Sequence, residues 1–339
     1  MTDTGEPCIL YGELYTKYKS EVISDIFSKT DIDTRKLVKS KANDVIIPCS
    51  GETAVDIATA RCVPYDNILL GGDLNIIRLY DCDGSFMSYQ LNGKRKYDIA
   101  KVAQGVSVVH LYGDHLKGVK TYNPCLEEQK KIAKLLSLLD ERITTQNKII
   151  EDLKKLKSAI SEKLFKAVKG DVIMLSEICE IFKGKQINGE FLSEKGKYYV
   201  MNGGTEPSGY YNNYNVEANT ISISEGGNSC GYVQFNTSPF WSGGHCYTIQ
   251  NIVRGVDNLY LYHYLKSEED SIMKLRIGSG LPNIQKKDLA MFKIKIPPTE
   301  QQKTISTFLS SLERKTEIEE HILNAIQKEK QYILRQMFI

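Results

Sequence analysis

The segment from Pro124 to Phe165 aligns without a gap to the segment from Pro297 to Phe338, at a constant offset of 173 residues. The identical pairs include Pro124/Pro297, Glu127/Glu300, Gln129/Gln302, Lys130/Lys303, Ser137/Ser310, Lys155/Lys328, Lys157/Lys330 and Phe165/Phe338. Identity at 13 of 42 ungapped positions is well above chance, so this part of the chain is duplicated. A long internal repeat limits the fold more than any local signal, because each copy must solve the same burial problem.

Each copy reads as one long amphipathic helix. In the first, Ile132, Leu136, Leu139, Ile149, Leu153 and Ile160 recur at helical spacing; in the second, Ile305, Leu309, Leu312, Ile322, Ile326 and Ile333 do so. Pro124 and the Pro297-Pro298 pair mark the helix starts, and Glu127, Glu128 and Glu300 suit the first turns. About 40 residues at 1.5 Å each reach roughly 60 Å, more than one small domain can cover. The stripes are therefore expected to bury against each other as a coiled coil, with Gln146, Asn147 and Thr316 as polar interruptions that set register. Helices that each cover only their own domain are the alternative.

Upstream of each helix the chain is rich in Gly, Tyr, Asn and Ser, with short β-type runs. These are Asp44–Ile47, Asn67–Leu70 and Leu74–Ile77 in the first half, and Thr220–Ile223, Gly231–Phe235 and Phe292–Ile296 in the second. Ala42–Ile47 corresponds weakly to Ala218–Ile223, and each leads into a small-residue loop, Cys49-Ser50-Gly51-Glu52 or Glu225-Gly226-Gly227-Asn228. The organisation is globule (1–122), helix (123–169), globule (170–296), helix (297–339).

That organisation resembles the specificity subunits of type I restriction-modification systems over nearly the whole chain. The residues that carry the likeness are Ile277–Ile284 with Asp288-Leu289, followed by Ile296-Pro297-Pro298-Thr299-Glu300-Gln301-Gln302 running into the helix. The first copy offers Gly105–Leu111, Leu116-Lys117 and Pro124–Gln129, and Tyr11–Thr16 looks like a segment near the front of such recognition domains. The resemblance implies an α+β chain. Two mixed α/β target-recognition domains would be separated by two long helices, packed as an antiparallel coiled coil with a pseudo-two-fold. It implies double-stranded DNA as ligand, read as a bipartite site whose gap the helices set, with half-sites about one DNA turn apart. It further implies methyltransferase (modification) subunits that hold S-adenosylmethionine, and motor-nuclease subunits that use ATP and Mg. No cofactor or metal is expected on this chain, and no catalysis. In the second half, residues 171–197 precede Tyr198–Gly203, the match to Cys8–Gly12, whereas only Met1 to Pro7 do so in the first; the first recognition domain is expected to be short at its N-terminus.

Composition bears on this at two points. The net charge is only +2, from 44 basic and 42 acidic residues, so a DNA binder of this kind would share its phosphate grip with a partner and bind weakly alone. Eight cysteines without a Cys-x-x-Cys pair read as thiols, and His245-Cys246 has no second cluster to complete a metal site. No basic-then-apolar leader and no apolar run of membrane length occur, which points to the cytoplasm.

Catalytic motifs are weak. There is no Gly-x-x-x-x-Gly-Lys-Ser/Thr loop; Asn123-Pro124-Cys125-Leu126 lacks the aromatic of an amino-methyltransferase site; and Glu128-Gln129-Lys130 meets Gln301 in the second copy. Candidate DNA contacts are polar and basic loop residues, chosen because Lys, Arg, Asn, Gln, Ser and Thr serve base edges and phosphates. They are Tyr15, Thr16, Lys17 and Tyr18; Lys94, Arg95 and Lys96; Lys183, Lys185 and Gln186; Asn228, Ser229 and Tyr232; and Arg276 with Ser279. A coiled-coil protein-interaction adaptor without a DNA role is the rival reading.

Overall fold

The computed structural model describes residues 4–33, 37–278, 280 and 282–338. The chain is α+β, and its two repeated segments form helices at Leu126–Ala167 and Thr299–Gln336, here the central and C-terminal helices. Neither contains Gly or Pro, so nothing interrupts the backbone ladder over 42 and 38 residues. The chain divides into two compact units. One holds Met1–Ile149 with Glu319–Ile339, the other Ile150–Ile318, so each globule carries one half of each helix.

Within the first unit the helix halves run antiparallel: Asp140 meets Lys330, and further along Gln146 meets Glu319. Within the second, Lys157 bonds Glu313 at 2.7 Å. The repeat offset relates these contacts. Asp140 corresponds to Glu313 and Lys157 to Lys330, so each acid of one copy is paired with the lysine of the other. Gln146 and Glu319 are themselves corresponding positions. Asp140 also accepts from the Tyr89 hydroxyl at 2.7 Å, as Glu313 does from Tyr262 at 2.9 Å.

The apolar stripes serve two neighbours. Leu136 packs with Leu334, Phe338 and the globule residues Phe86 and Tyr89, while Ile305 and Leu309 join the core of the second globule beside Phe165. Ile132, Leu139, Leu153, Ile160, Leu312, Ile322, Ile326 and Ile333 are half-buried. Ile149 departs from the expected stripe: it is 39% exposed, whereas Ile150 is 7% exposed. Buried Gln146 explains this, since the i, i+4 step carries the face from Gln146 to Ile150 and turns Ile149 outward. Thr316 is buried and bonds its own helix at the Leu312 carbonyl, while Asn147 is exposed.

The two globules share a sheet plan. In the first, Asp44–Pro48 lies between Arg61–Val63 and Leu74–Ile77, antiparallel to both. In the second, Thr220–Ser224 lies between Val233–Asn236 and Cys246–Gln250 in the same way. Both central strands are buried throughout, with Val45, Ile46, Ile47, Ile221 and Ile223 as β-branched side chains suited to strand, and Asn43 (φ 79°) and Asn219 (φ 59°) turn the chain into them. A parallel pair completes each plan: Glu6–Ile9 with Leu69–Leu70, and Tyr198–Met201 with Trp241–Ser242. Of the Asn67–Leu70 run only the last two residues form strand, because Asn67 sits at φ 63°. In the second globule Glu180–Lys183 adds a fourth strand outside Cys246–Gln250, and Asp171–Met174 pairs with Lys293–Ile296. All eight cysteines are thiols, five of them buried.

One duplicated side chain joins each long helix to its globule. Gln129 accepts the N–H of Asp83 at 2.8 Å and donates to the Pro124 carbonyl at 2.8 Å; Gln302 does the same with Asp257 and Pro297, at 2.8 Å each. Asp83 and Asp257 cap the helices Gly84–Asn92 and Asn258–Ser267, accepting from Phe86 and Tyr260. Both glutamines are buried, so truncation strands a donor and an acceptor away from water. Gln302→Ala is expected to cost about 2 kcal/mol in urea denaturation, and a change below about 0.5 kcal/mol would remove Gln302 from this role.

Candidate nucleic-acid interface

In the second globule the central strand Thr220–Ser224 delivers its loop, Glu225-Gly226-Gly227, to the floor of an open cleft of about 500 Å³. Lys183, Asn202, Gly203, His245, Pro282 and Asn283 complete the lining. Two backbone bonds fix the loop against Pro282 and Ile284: Ile284 N–H to the Glu225 carbonyl at 2.8 Å, and Gly227 N–H to that of Pro282 at 3.0 Å. Ile277 and Asn283 form an antiparallel bridge with each other.

Glu225 organises the cleft. Its Oε1 accepts from Lys183 Nζ at 2.5 Å and from the Tyr247 hydroxyl at 3.0 Å, while Oε2 lies 3.5 Å from His245 Nδ1. Burial and the neighbouring carboxylate raise the Tyr247 phenol well above its ordinary value, so it stays a donor. The arrangement holds an ammonium, an imidazole and two amides (Asn202, Asn283) around one carboxylate. That set offers both donors and acceptors to a base edge.

The first globule builds its cleft on the same frame. Leu111 N–H bonds the Cys49 carbonyl at 2.8 Å, as Ile284 bonds Glu225, and Gln104 bridges His110 as Ile277 bridges Asn283. Gly105 and Gly278, one repeat apart, follow the bridged residues Gln104 and Ile277 at φ +124° and +99°. A Cβ on Gly105 would fall 2.1 Å from the Val108 carbonyl oxygen, so the turn requires glycine. The cleft encloses about 520 Å³, and its lining includes Tyr11, Tyr15, Thr16, Ser50, Glu52, Asp56 and Ser107. Hydroxyls and carboxylates replace the amides, imidazole and ammonium of the other. Carboxylates accept from the cytosine amino group, and hydroxyls serve either role.

The sequence candidates divide accordingly. Tyr15 and Thr16 line the first cleft and Lys183 the second. Gln186 lies against Gly244, next to His245, and Asn228 is exposed in the turn Gly227–Ser229 with half-buried Ser229 beside it. Arg276 is exposed next to Ile277, and Lys185 is exposed with its carbonyl bonded to Trp241 Nε1. Ser279 lies outside the described residues.

Tyr18 is a correction: it is buried in the core with Ile9, Leu14 and Ile23, because its ring packs against Phe27 and completes that apolar cluster, and burial pushes its phenol up to about 12. Lys17 is drawn to Glu13 at 2.7 Å and to Ser28. Lys94, Arg95 and Lys96 lie where helix Lys96–Val102 begins and do not line either cleft. Arg95 bonds Asp98 at 3.4 Å, and burial lowers the Lys96 ammonium. Tyr232 is covered by Lys266, whose Nζ stands 3.9 Å from the ring centroid. Asn202, Glu225, His245 and Asn283, with Glu52 and Asp56, line the clefts without standing among the sequence candidates. The aligned small-residue loops held the signal for Glu52 and Glu225 alone.

The comparisons with known proteins agree with this frame. The type I restriction modification DNA specificity domain matches residues 10–155 and again 168–328. The chain belongs to that family. A protein described as a type I specificity subunit in Mycoplasma pneumoniae is 35% identical over 145 residues, 42% of this chain and only 38% of that protein's length. The type I restriction enzyme MjaVIII specificity subunit of Methanocaldococcus jannaschii is 26% identical, over 96% of this chain and 84% of its own. The crystal structure of a type I restriction-modification S subunit from M. genitalium has the same fold, with TM-score 0.69 at 22% identity, covering 98% of this chain and 92% of the other. Two matches in one chain, each taking in a globule and most of the helix that follows it, identify the duplicated unit as this specificity domain. Among the described residues no group of three or more His, Cys, Asp or Glu is placed to hold a metal, and no helix is long and apolar enough to cross a membrane.

Proposed function

We propose that this chain is the DNA-reading subunit of a type I restriction-modification complex, in which each globule reads one half of a split DNA site. One observation carries the reading: two clefts of similar size, on the same loop frame, are lined by different hydrogen-bonding groups. A duplicated frame with unlike linings suits an asymmetric target. The chain acts as a non-catalytic, cytoplasmic adaptor, and S-adenosylmethionine, ATP and Mg belong to its methyltransferase and motor-nuclease partners. Exposed apolar side chains at corresponding positions, Leu135 and Phe308, support docking of methyltransferase subunits on the helices.

The test is co-expression with the cognate methyltransferase and genome-wide methylation mapping. A motif of two short blocks with a fixed gap is expected. The pair Lys183→Ala and Asn283→Ala is expected to relax one block by about 1–3 kcal/mol per affected base pair and leave the other unchanged. A single ungapped motif, or equal relaxation of both blocks, would overturn the reading.

A further inference from the structure

The carboxylate at the floor of the second globule's cleft is only half used. Glu225 is 7% exposed; its Oε1 accepts from Lys183 and Tyr247, but its Oε2 has no hydrogen-bond partner among the described residues. A buried acceptor without a partner is costly until a donor reaches it. His245 Nδ1 stands 3.5 Å from Oε2, on a side chain that is 62% exposed and lines the cleft.

The backbone of His245 is held on three sides. Its N–H donates to Asn202 Oδ1 at 3.1 Å, and its carbonyl accepts from the Glu225 N–H at 2.9 Å. Gly203, at φ +85°, leaves it room, since a Cβ there would fall 3.0 Å from both the Cβ and the carbonyl oxygen of His245. The first globule repeats the central bond with other side chains. Cys49 N–H donates to the Asp73 carbonyl at 2.8 Å, one step past the strand pair Pro48 and Leu74, as Glu225 lies one step past Ser224 and Cys246. Cys49 thus stands where Glu225 does and Asp73 where His245 does, and Asp73 accepts from the Ser50 hydroxyl. The frame is common to both globules, whereas the imidazole–carboxylate pair belongs to the second.

We infer that His245 reads a base in this cleft, its Nε2 accepting from the exocyclic amino group of cytosine or adenine, and that Glu225 is the residue that positions it. The inference rests on the DNA-reading role proposed above. A carboxylate oxygen only accepts, so the hydrogen of a neutral imidazole lies on Nδ1, facing Oε2, and Nε2 keeps its lone pair. Lys183 already gives Glu225 a counter-charge, so the carboxylate does not call for an imidazolium. No group among the described residues bonds Nε2. In the major groove cytosine and adenine present an amino donor where guanine and thymine present a carbonyl acceptor. An acceptor at Nε2 therefore separates amino from keto bases at one position. A base hydrogen on Nε2 also polarises Nδ1–H toward Oε2, which gives the buried oxygen its donor.

The test uses the complex with the cognate methyltransferase, at pH 8 where an ordinary imidazole is neutral. Relative methylation rates are measured on a library of sites carrying all four base pairs at each position of the motif. His245→Lys supplies donors without an acceptor, so at one position of one block the preference should pass from an amino base to a keto base. The change in relative rate is expected to be about tenfold or more, with the other positions kept. The wild-type base at that position, cytosine or adenine, identifies the amino group read. Glu225→Gln should turn the same preference round. Lys183 and Tyr247 hold the amide oxygen in the place of Oε1, so the amide N–H faces Nδ1 and drives the imidazole hydrogen onto Nε2. A residue that only shaped the loop would weaken the block without exchanging donor for acceptor. Unchanged preferences in His245→Lys, or a loss spread evenly over the block in both variants, would overturn the proposal. A wild-type complex without preference at any position would instead overturn the DNA-reading role, and the proposal with it.

Discussion

Replacing Lys330 by methionine is expected to destabilise the first unit by about 3–5 kcal/mol, the largest single loss anticipated for this chain. The Lys330 ammonium is bonded to Glu21 at 2.5 Å and to Asp140, and all three side chains are buried. Asp140 is further held by the hydroxyls of Tyr89 at 2.7 Å and Ser20 at 3.0 Å. Burial already pushes the Glu21 carboxyl above its ordinary range, with Lys330 opposing that push and Asp140 adding to it. Without the ammonium, two carboxylates share one water-poor site, so at least one must take up a proton or the helix halves must part.

The repeat supplies the control. Lys157→Met breaks the corresponding pair in the second unit, whose side chains are 21% and 30% exposed, against 9% and 11% for Lys330 and Asp140. Solvent reaches what remains of that pair, so a loss of about 1 kcal/mol is expected there. Urea denaturation of both variants followed by circular dichroism decides the matter. Equal losses would show that burial does not set the cost.

The second large effect is on pH. His263 is buried in helix Asn258–Ser267, with Nε2 2.9 Å from Ser310 Oγ, and burial pushes its imidazole down to about 4. Glu313 opposes this shift and Lys157 adds to it. In the unfolded chain the same group titrates near 6.5. Between these values the unfolded chain binds a proton that the folded chain refuses, so stability falls as the pH drops. The contribution is full above pH 6.5 and declines toward pH 4, amounting to about 2.5 kcal/mol lost by pH 4.5. His263→Gln keeps a partner for Ser310 and removes the titration. The wild-type chain should therefore lose about 2.5 kcal/mol more than this variant between pH 7 and pH 4.5, measured by urea denaturation. Parallel pH profiles would place the proton elsewhere.

Much of the architecture is readable from periodicity and repetition. The duplicated stripes mark both helices, and Asp44–Ile47 and Thr220–Ile223 mark both central strands, because burial on one face or on two leaves a pattern in neighbouring residues. The clefts are readable only as loops. Ser50–Glu52 and Glu225–Gly227 stand out by their small residues, yet nothing local says that His245 and Lys183 close on Glu225, or that Tyr11 and Asp56 share a cleft. Tyr18 shows the opposite failure, since a tyrosine beside lysines looks like a contact residue until the core claims it.

By itself the amino-acid order determined the duplication, the two amphipathic rods and the strands that precede them, since these follow from spacings within a few residues. Tertiary structure alone decided which polar groups meet: Lys330 with Asp140 across 190 positions, and Lys183 with Glu225 across 42. Such pairings depend on the geometry of two distant backbones and on how far water is excluded between them. Neither quantity is carried by any single stretch of chain.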